Sequence, residues 1–285
     1  MAIDISQRIR NAYPTFSKGH KKIANVILND CDKAAYMTAA RLGKLVGVSE
    51  STVVRFANVL GFEGYSEFQR AVQEFLRTRL TPNQRIIMTK QRIGSGDIIE
   101  NVMESDLAKI RYSMETLDRD SFYKSVDSIL AAKNIYVMGA RSTESLAQIL
   151  KYNLSLIFDN VKFVSPYSTA EVFEQMLSIS EKDVLIAFSF PRYSSKMVSA
   201  VKYAKQNGAA VVVFTDSHAS PLAEYATSLL TAQSDMASYM DSLVAPISII
   251  NAIIVEITNR REKEITERFD KLEKLWDEYE VYTKR

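Results

Sequence analysis

The sequence has a single cysteine and only two histidines in 285 residues. Cys31 alone cannot close an internal disulfide, and His20 and His218 lie too far apart for a zinc site of the usual spacing. Long apolar runs are also missing: stretches such as 184–188 and 211–214 fall far short of the ~20 residues a membrane-spanning helix needs. The opening residues, MAIDISQRIRNAYP, lack the apolar segment of a secretory leader. Neither charge sign dominates, with 36 Lys and Arg against 34 Asp and Glu. What is present is an ordinary globular composition, 47% hydrophobic and 25% charged, which argues against a disordered or fibrous chain. The expectation is a cytoplasmic protein of one large or two ordinary domains, with no metal and no cofactor.

The near-neutral total hides an asymmetry. Residues 1–80 hold 12 Lys and Arg against 7 Asp and Glu, a net +5, while the rest holds 24 against 27, a net −3. A basic N-terminal third on a mildly acidic remainder fits a polyanion-binding module joined to a different kind of domain. Its pattern is helical. Ser17 can cap a helix carrying Ile23, Val26 and Ile27. Thr38 can cap a second, with Ala39, Leu42, Leu45 and Val46 as its stripe and Gly47 as its stop. Ser49 can cap a third, whose apolar face is Val53, Phe56, Ala57 and Leu60. Ser66 with Gln69 makes a capping box for a fourth, running through Phe68, Val72, Phe75 and Leu76.

Residues 38–62 are the informative unit. Two short helices meet at the tight turn Gly47-Val48-Ser49, and the second has a polar face of Glu50, Ser51, Thr52, Arg55 and Asn58. That is the helix-turn-helix arrangement, whose second helix enters the major groove of DNA. Ser49, Ser51 and Thr52 can reach phosphates or bases, Arg55 a guanine edge, and Asn58 an adenine or a phosphate. An αα-hairpin within a helical bundle would share the helix–Gly–helix pattern; the basic balance favours DNA. Residues 17–76 resemble the N-terminal domain of RpiR-type transcriptional regulators, through Gly47-Val48-Ser49, Thr52-Val53-Val54-Arg55-Phe56 and Leu60-Gly61-Phe62. The resemblance implies a DNA-binding domain with its recognition helix over residues 49–60.

Thr81-Pro82-Asn83 and residues 93–97 break the helical pattern. A helix from about Asp97, with Ile98, Val102, Leu107, Ile110 and Met114, reads as a connector whose stripe can pack on the next domain or on a partner subunit. From residue 133, strands at 134–139, 161–164, 183–189, 210–215 and 227–230 alternate with helices at 142–158, 170–179 and 194–206 and a short one near Ser220. Long helices at 242–260 and 262–279 end the chain. Such alternation implies an α/β fold with a doubly wound parallel sheet, a flavodoxin-like α/β/α sandwich, behind the all-α first domain. Ligands of such sheets sit beyond the carboxyl ends of the strands, facing helix N-termini. Two of those ends, Gly139-Ala140-Arg141-Ser142-Thr143 and Ser189-Phe190-Pro191-Arg192-Tyr193-Ser194-Ser195, are rich in hydroxyls and carry one Arg each, which describes an anion pocket. Ser142 and Ser194 also suit plain helix capping, and Gly139 a plain turn.

Over about residues 130–260 these loops resemble the sugar isomerase (SIS) domain that follows the helix-turn-helix in RpiR-type regulators. The resemblance implies phosphosugar binding, with Ser142, Ser189 and Ser194 as transferable contacts; the loops themselves add Gly139, Arg141, Thr143, Arg192 and Ser195 as candidate ligand-binding residues. The second loop departs from the common Ser-x-Ser-Gly-x-Thr pattern by bringing in Pro191 and Arg192. The expected layout is a helix-turn-helix domain over 1–80, a linker and connecting helix over 81–120, and a SIS domain over 121–285. The expected function is a regulator of carbohydrate metabolism, a homodimer or homotetramer, that binds operator DNA and a phosphosugar effector, with no catalytic residues. Two alternatives stand beside it. A sugar-phosphate isomerase would need a positioned base and acid, for which Glu171 and His218 are the candidates, though Glu171 also suits a first helical turn. The SIS-like domain could instead serve only as a dimerisation platform.

Overall fold

The computed structural model describes residues 5–79, 81–93 and 96–283. Leu80, Gly94 and Ser95, at or beside the expected breaks, lie outside them. The chain forms two compact units, one through Met88 and one from Thr89.

The first unit runs α1 (Ile5–Ala12), α2 (Lys18–Asn29), α3 (Cys31–Ala34), α4 (Ala39–Val46), α5 (Glu50–Val59) and α6 (Tyr65–Arg79), and α7 (Pro82–Ile93) follows. Ser17 and Thr38 cap as the sequence predicts, accepting from His20 N at 3.2 Å and Arg41 N at 3.3 Å. The Ser66–Gln69 box does not form. Helix α6 starts at Tyr65, two residues before the start that a Ser66 cap would give, and Gln69 donates instead to the carbonyl of Met37, 2.8 Å away, which the Tyr65 hydroxyl also serves at 2.6 Å. An aromatic chain fills the core, each ring edge-to-face with the next: Phe16–Phe56 at 5.2 Å, Phe56–Phe68 at 5.7 Å and Phe68–Phe62 at 5.7 Å. Burying each such ring contributes about 1.5–3 kcal/mol.

The second unit runs α8 (Ile98–Thr116), α9 (Arg119–Ala131), β1 (Ile135–Gly139), α10 (Thr143–Ile157), β2 (Val161–Phe163), α11 (Thr169–Gln175), β3 (Val184–Phe188), α12 (Ser195–Gln206), β4 (Ala210–Thr215), β5 (Ser228–Thr231), α13 (Val244–Arg260) and α14 (Glu262–Glu278). Helix α9 was not anticipated, and a 3-10 turn, Ala223–Tyr225, replaces the helix expected near Ser220. All five strands are parallel, in the order β2-β1-β3-β4-β5. Alternate side chains feed two cores, as strands buried on both faces require. Val137, Ile186 and Val212 pack with Leu146, Leu150 and Ile253 on one face; Met138, Ala187 and Val213 pack with Val172, Met197 and Val201 on the other. The strand order reverses between β1 and β3, opening a crevice beyond their carboxyl ends. No helix among the described residues is long and apolar enough to cross a membrane.

Candidate functional site

In the first unit the two helices α4 and α5 meet at a turn that glycine makes possible twice. Gly47 has φ of 70°, the left-handed region where a Cβ is costly. Gly43, inside α4, lets the turn fold back on the helix, so that Val48 N reaches the Gly43 carbonyl at 2.9 Å. A Cβ on Gly43 would stand 2.8 Å from the carbonyl oxygen of Val48. Gly43→Ala should therefore force the turn open and destabilise this unit by about 1–3 kcal/mol, seen as a lower urea midpoint; an unmoved midpoint would show that the turn has slack. Sequence reasoning passed over Gly43, although a glycine inside a helical pattern is itself a signal of close packing.

Helix α5 is anchored by Val53, Phe56 and Ala57 and turns its other face to solvent. The Ser49 hydroxyl accepts from Thr52 N at 3.3 Å and lies 2.9 Å from Ser51 Oγ and 2.8 Å from Thr52 Oγ1. Arg55 is ordered along the helix, Nε donating to the Ser51 carbonyl at 3.2 Å and Nη2 to Ser51 Oγ at 3.4 Å. Glu50, Ser51, Arg55 and Asn58 are exposed and Thr52 is half-buried, so the structure gathers the six predicted residues on one face and at the helix start. Glu50, in the first turn, also suits the positive end of the helix dipole.

His20 stands behind this face, its ring near-perpendicular to Phe16 at 5.9 Å and inclined at 64° to Phe56 at 5.5 Å. Burial, and secondarily the Arg55 charge, hold its pKa below the ordinary histidine value. The unfolded chain therefore binds more protons than the folded one once pH falls through about 6.5. This packing contributes its full stability above that pH and loses it below. Thermal unfolding between pH 7 and pH 5 should show Tm falling with pH, with a shallower fall in His20→Gln; equal slopes would clear His20 of the effect.

In the second unit, β1 and β3 are hydrogen-bonded neighbours with Gly139 opposite Phe188, which brings the two Arg-bearing loops side by side. Gly139 allows a close approach, since a Cβ there would overlap the carbonyl of Thr143. Thr143 is buried, and its hydroxyl lies 2.9 Å from the carbonyls of both Ala140 and Phe188, so it ties the loops together. Ser142 and Ser194 stand at the starts of α10 and α12, yet neither makes a side-chain cap. By contrast, Ser17, Ser49 and Ser168 each accept from a first-turn amide. The hydroxyls of Ser142, Ser189, Ser194 and Ser195 hydrogen-bond to no described residue.

Three described residues other than glycine have positive φ, and two of them are Arg141 at 60° and Arg192 at 69°. Both are exposed, and neither guanidinium has a partner among the described residues. A left-handed arginine costs roughly 1–2 kcal/mol. Sequence reasoning missed Asp216, at the end of β4. Its Oδ1 accepts from the Tyr193 hydroxyl at 2.7 Å and from Thr215 Oγ1 at 3.1 Å, steadying the Arg192 loop, while Oδ2 is buried with no hydrogen-bond partner among the described residues. An acid directly after the run VVVFT was the available clue.

Glu171 and His218 are not brought together. They follow β2 and β4, three strand positions apart in the sheet, about 14 Å at the usual spacing. Glu171 is exposed in the first turn of α11, and His218 is exposed near Asp118. Among the described residues no group of His, Cys, Asp and Glu is placed to hold a metal.

Residues 3–79 match the helix-turn-helix domain of the rpiR family, and residues 128–256 match the SIS domain. The chain is 28% identical over 238 residues to an uncharacterized HTH-type transcriptional regulator of Haemophilus influenzae, covering 80% of this chain and 79% of that one. It is 25% identical to the HTH-type transcriptional regulator HexR of Escherichia coli K12, covering 91% of this chain and 89% of HexR. Among solved structures, the Vibrio vulnificus NanR protein complexed with ManNAc-6P superposes with a TM-score of 0.61 at 20% identity, over 96% of this chain and 98% of that one.

Proposed function

The chain is built as an RpiR-type transcriptional regulator, an rpiR-family helix-turn-helix domain followed by a SIS domain, and from that architecture we propose that it binds operator DNA through α5 and senses a phosphorylated sugar or related anion at the β1 and β3 loops. One observation carries the second half. At the crevice where the strand order reverses, α10 and α12 begin with serines whose hydroxyls make no cap, the first-turn amides of α12 bond to no described group, and two arginines without a partner among the described residues stand beside them. Uncapped amides, free hydroxyls and guanidinium groups are what a phosphate monoester takes up. That NanR, a protein of this fold, holds ManNAc-6P supports a phosphosugar as the class.

Residues 1–80 then form the DNA-reading part, 81–120 the connection and 121–285 the sensor. Two copies present their α5 helices to half-sites about 34–36 Å apart, or a multiple of that spacing. The effector changes DNA affinity by binding the competent and incompetent arrangements unequally, typically by 1–3 kcal/mol. A thermal-shift panel of sugar phosphates tests the sensor directly. A true effector at about 100 times its Kd adds roughly 2.7 kcal/mol of stability. No shift with any of them would leave the α/β unit as a dimerisation platform. Isomerisation of a sugar phosphate by the purified protein, lost in Glu171→Ala, would instead revive catalysis.

A further inference from the structure

The α/β unit leaves a long apolar stripe uncovered. On α8, Ile99, Met103, Leu107 and Met114 are 71, 63, 62 and 58% exposed, and Ile110, partly buried, joins the stripe to the core. Their spacing of four, four, three and four residues is that of a seam between two helices. The other side of α8 is fixed. Lys109 and Ser113 are buried, Ser113 Oγ accepts from Gln233 N at 2.8 Å, and Asp106 accepts from Ser242 Oγ at 2.7 Å. The stripe is therefore held in place and turned to solvent. The sequence pattern had put Ile98 and Val102 in this stripe; Val102 instead turns toward the buried side, half-covered, and Ile98 is exposed at the helix start.

We propose that α8 is the seam of a homodimer, packed antiparallel on α8 of a second copy about a two-fold axis that passes beside Leu107, between it and Asp106. Laid against its own reverse, the stripe still sets apolar side chain against apolar side chain. Leu107 meets Leu107, Met103 meets Ile110 of the second copy, and Ile99 meets Met114. The exposed charges agree with that register, because Arg111 of one copy falls between Glu100 and Glu104 of the other. A stripe of this length offers on the order of 500 Å² per copy, so about 1,000 Å² in total, the lower bound for a specific interface. The seam rests on the reading of the protein as a paired regulator and gives that pairing its face.

The test uses the full chain. Leu107→Glu changes an exposed residue, so the variant should keep the wild-type circular dichroism and a cooperative melt, with a Tm independent of protein concentration, while sedimentation shows a monomer where the wild type is a dimer. Arg111→Glu should weaken the dimer, and adding Glu100→Arg and Glu104→Arg should restore it. Under mild oxidation Leu107→Cys should yield a disulfide-linked dimer. Met103→Cys should not, since antiparallel pairing sets the two copies of that position about 10 Å apart along the axis, beyond disulfide reach. A dimeric Leu107→Glu protein, or Met103→Cys crosslinking as readily as Leu107→Cys, would overturn the seam and leave the paired reading intact. A monomeric wild type would sink both.

Discussion

Arg55→Ala should weaken binding of the full chain to its specific duplex by about 1–3 kcal/mol, roughly 5- to 150-fold, and relax selectivity at one base position. The size of the effect follows from how the side chain is held. Its guanidinium is already ordered by the Ser51 carbonyl and hydroxyl, so little side-chain entropy is lost on docking. Being exposed, it can be removed with a stability change within about 0.5 kcal/mol. An internal check accompanies the affinity measurement. The Arg55 charge helps hold the His20 pKa down, so His20 should titrate at higher pH in the variant. It should still titrate below the ordinary histidine value, because burial is the larger cause. Unchanged duplex affinity beside a shifted His20 would remove Arg55 from the reading face while leaving the local geometry intact.

The second large effect is expected from Arg141→Gly combined with Arg192→Gly. Both positions have left-handed backbone, which glycine adopts without the steric cost an arginine bears. Part of that relief is offset by the greater freedom of glycine in the unfolded chain, so stability should stay level or rise by up to about 1 kcal/mol. The stabilisation produced by a sugar phosphate should disappear, and duplex binding without ligand should stay as it was. Loss of stability and of duplex binding together would mark the arginines as parts of the fold rather than of a sensor. Strained, unpaired cationic residues at a crevice are a familiar trade of stability for a prepared binding site.

How much of this was legible follows from the range of the forces involved. The caps at Ser17, Thr38 and Ser49 depend on amides three residues away, and the sequence shows them. The box at Ser66 and Gln69 failed because a carbonyl 32 residues distant, that of Met37, took the glutamine. Helix α9 was legible but passed over: Asp118 caps it, and Phe122, Val126 and Ile129 recur at helical spacing. The two arginine-bearing loops could be placed at strand ends from the alternation alone. Their strain could not, since nothing in an arginine's neighbours announces a positive φ. Ser142 looks like a cap by residue type, yet its own backbone is already helical, at φ −61° and ψ −29°, and its hydroxyl makes no cap. Asp216 stayed hidden because its meaning depends on Tyr193, 23 residues back on another loop.

The account stands on α5 reading duplex DNA under the control of an anion site in the α/β unit. Duplex affinity of the full chain, measured against salt with and without saturating sugar phosphate, tests both halves at once. The predicted result is a log–log line falling steeply with salt, as phosphate contacts require, displaced at every salt concentration by the sugar phosphate that stabilises the protein, by roughly 5- to 150-fold. A salt-insensitive affinity, or a line that the stabilising ligand leaves unmoved, would contradict it.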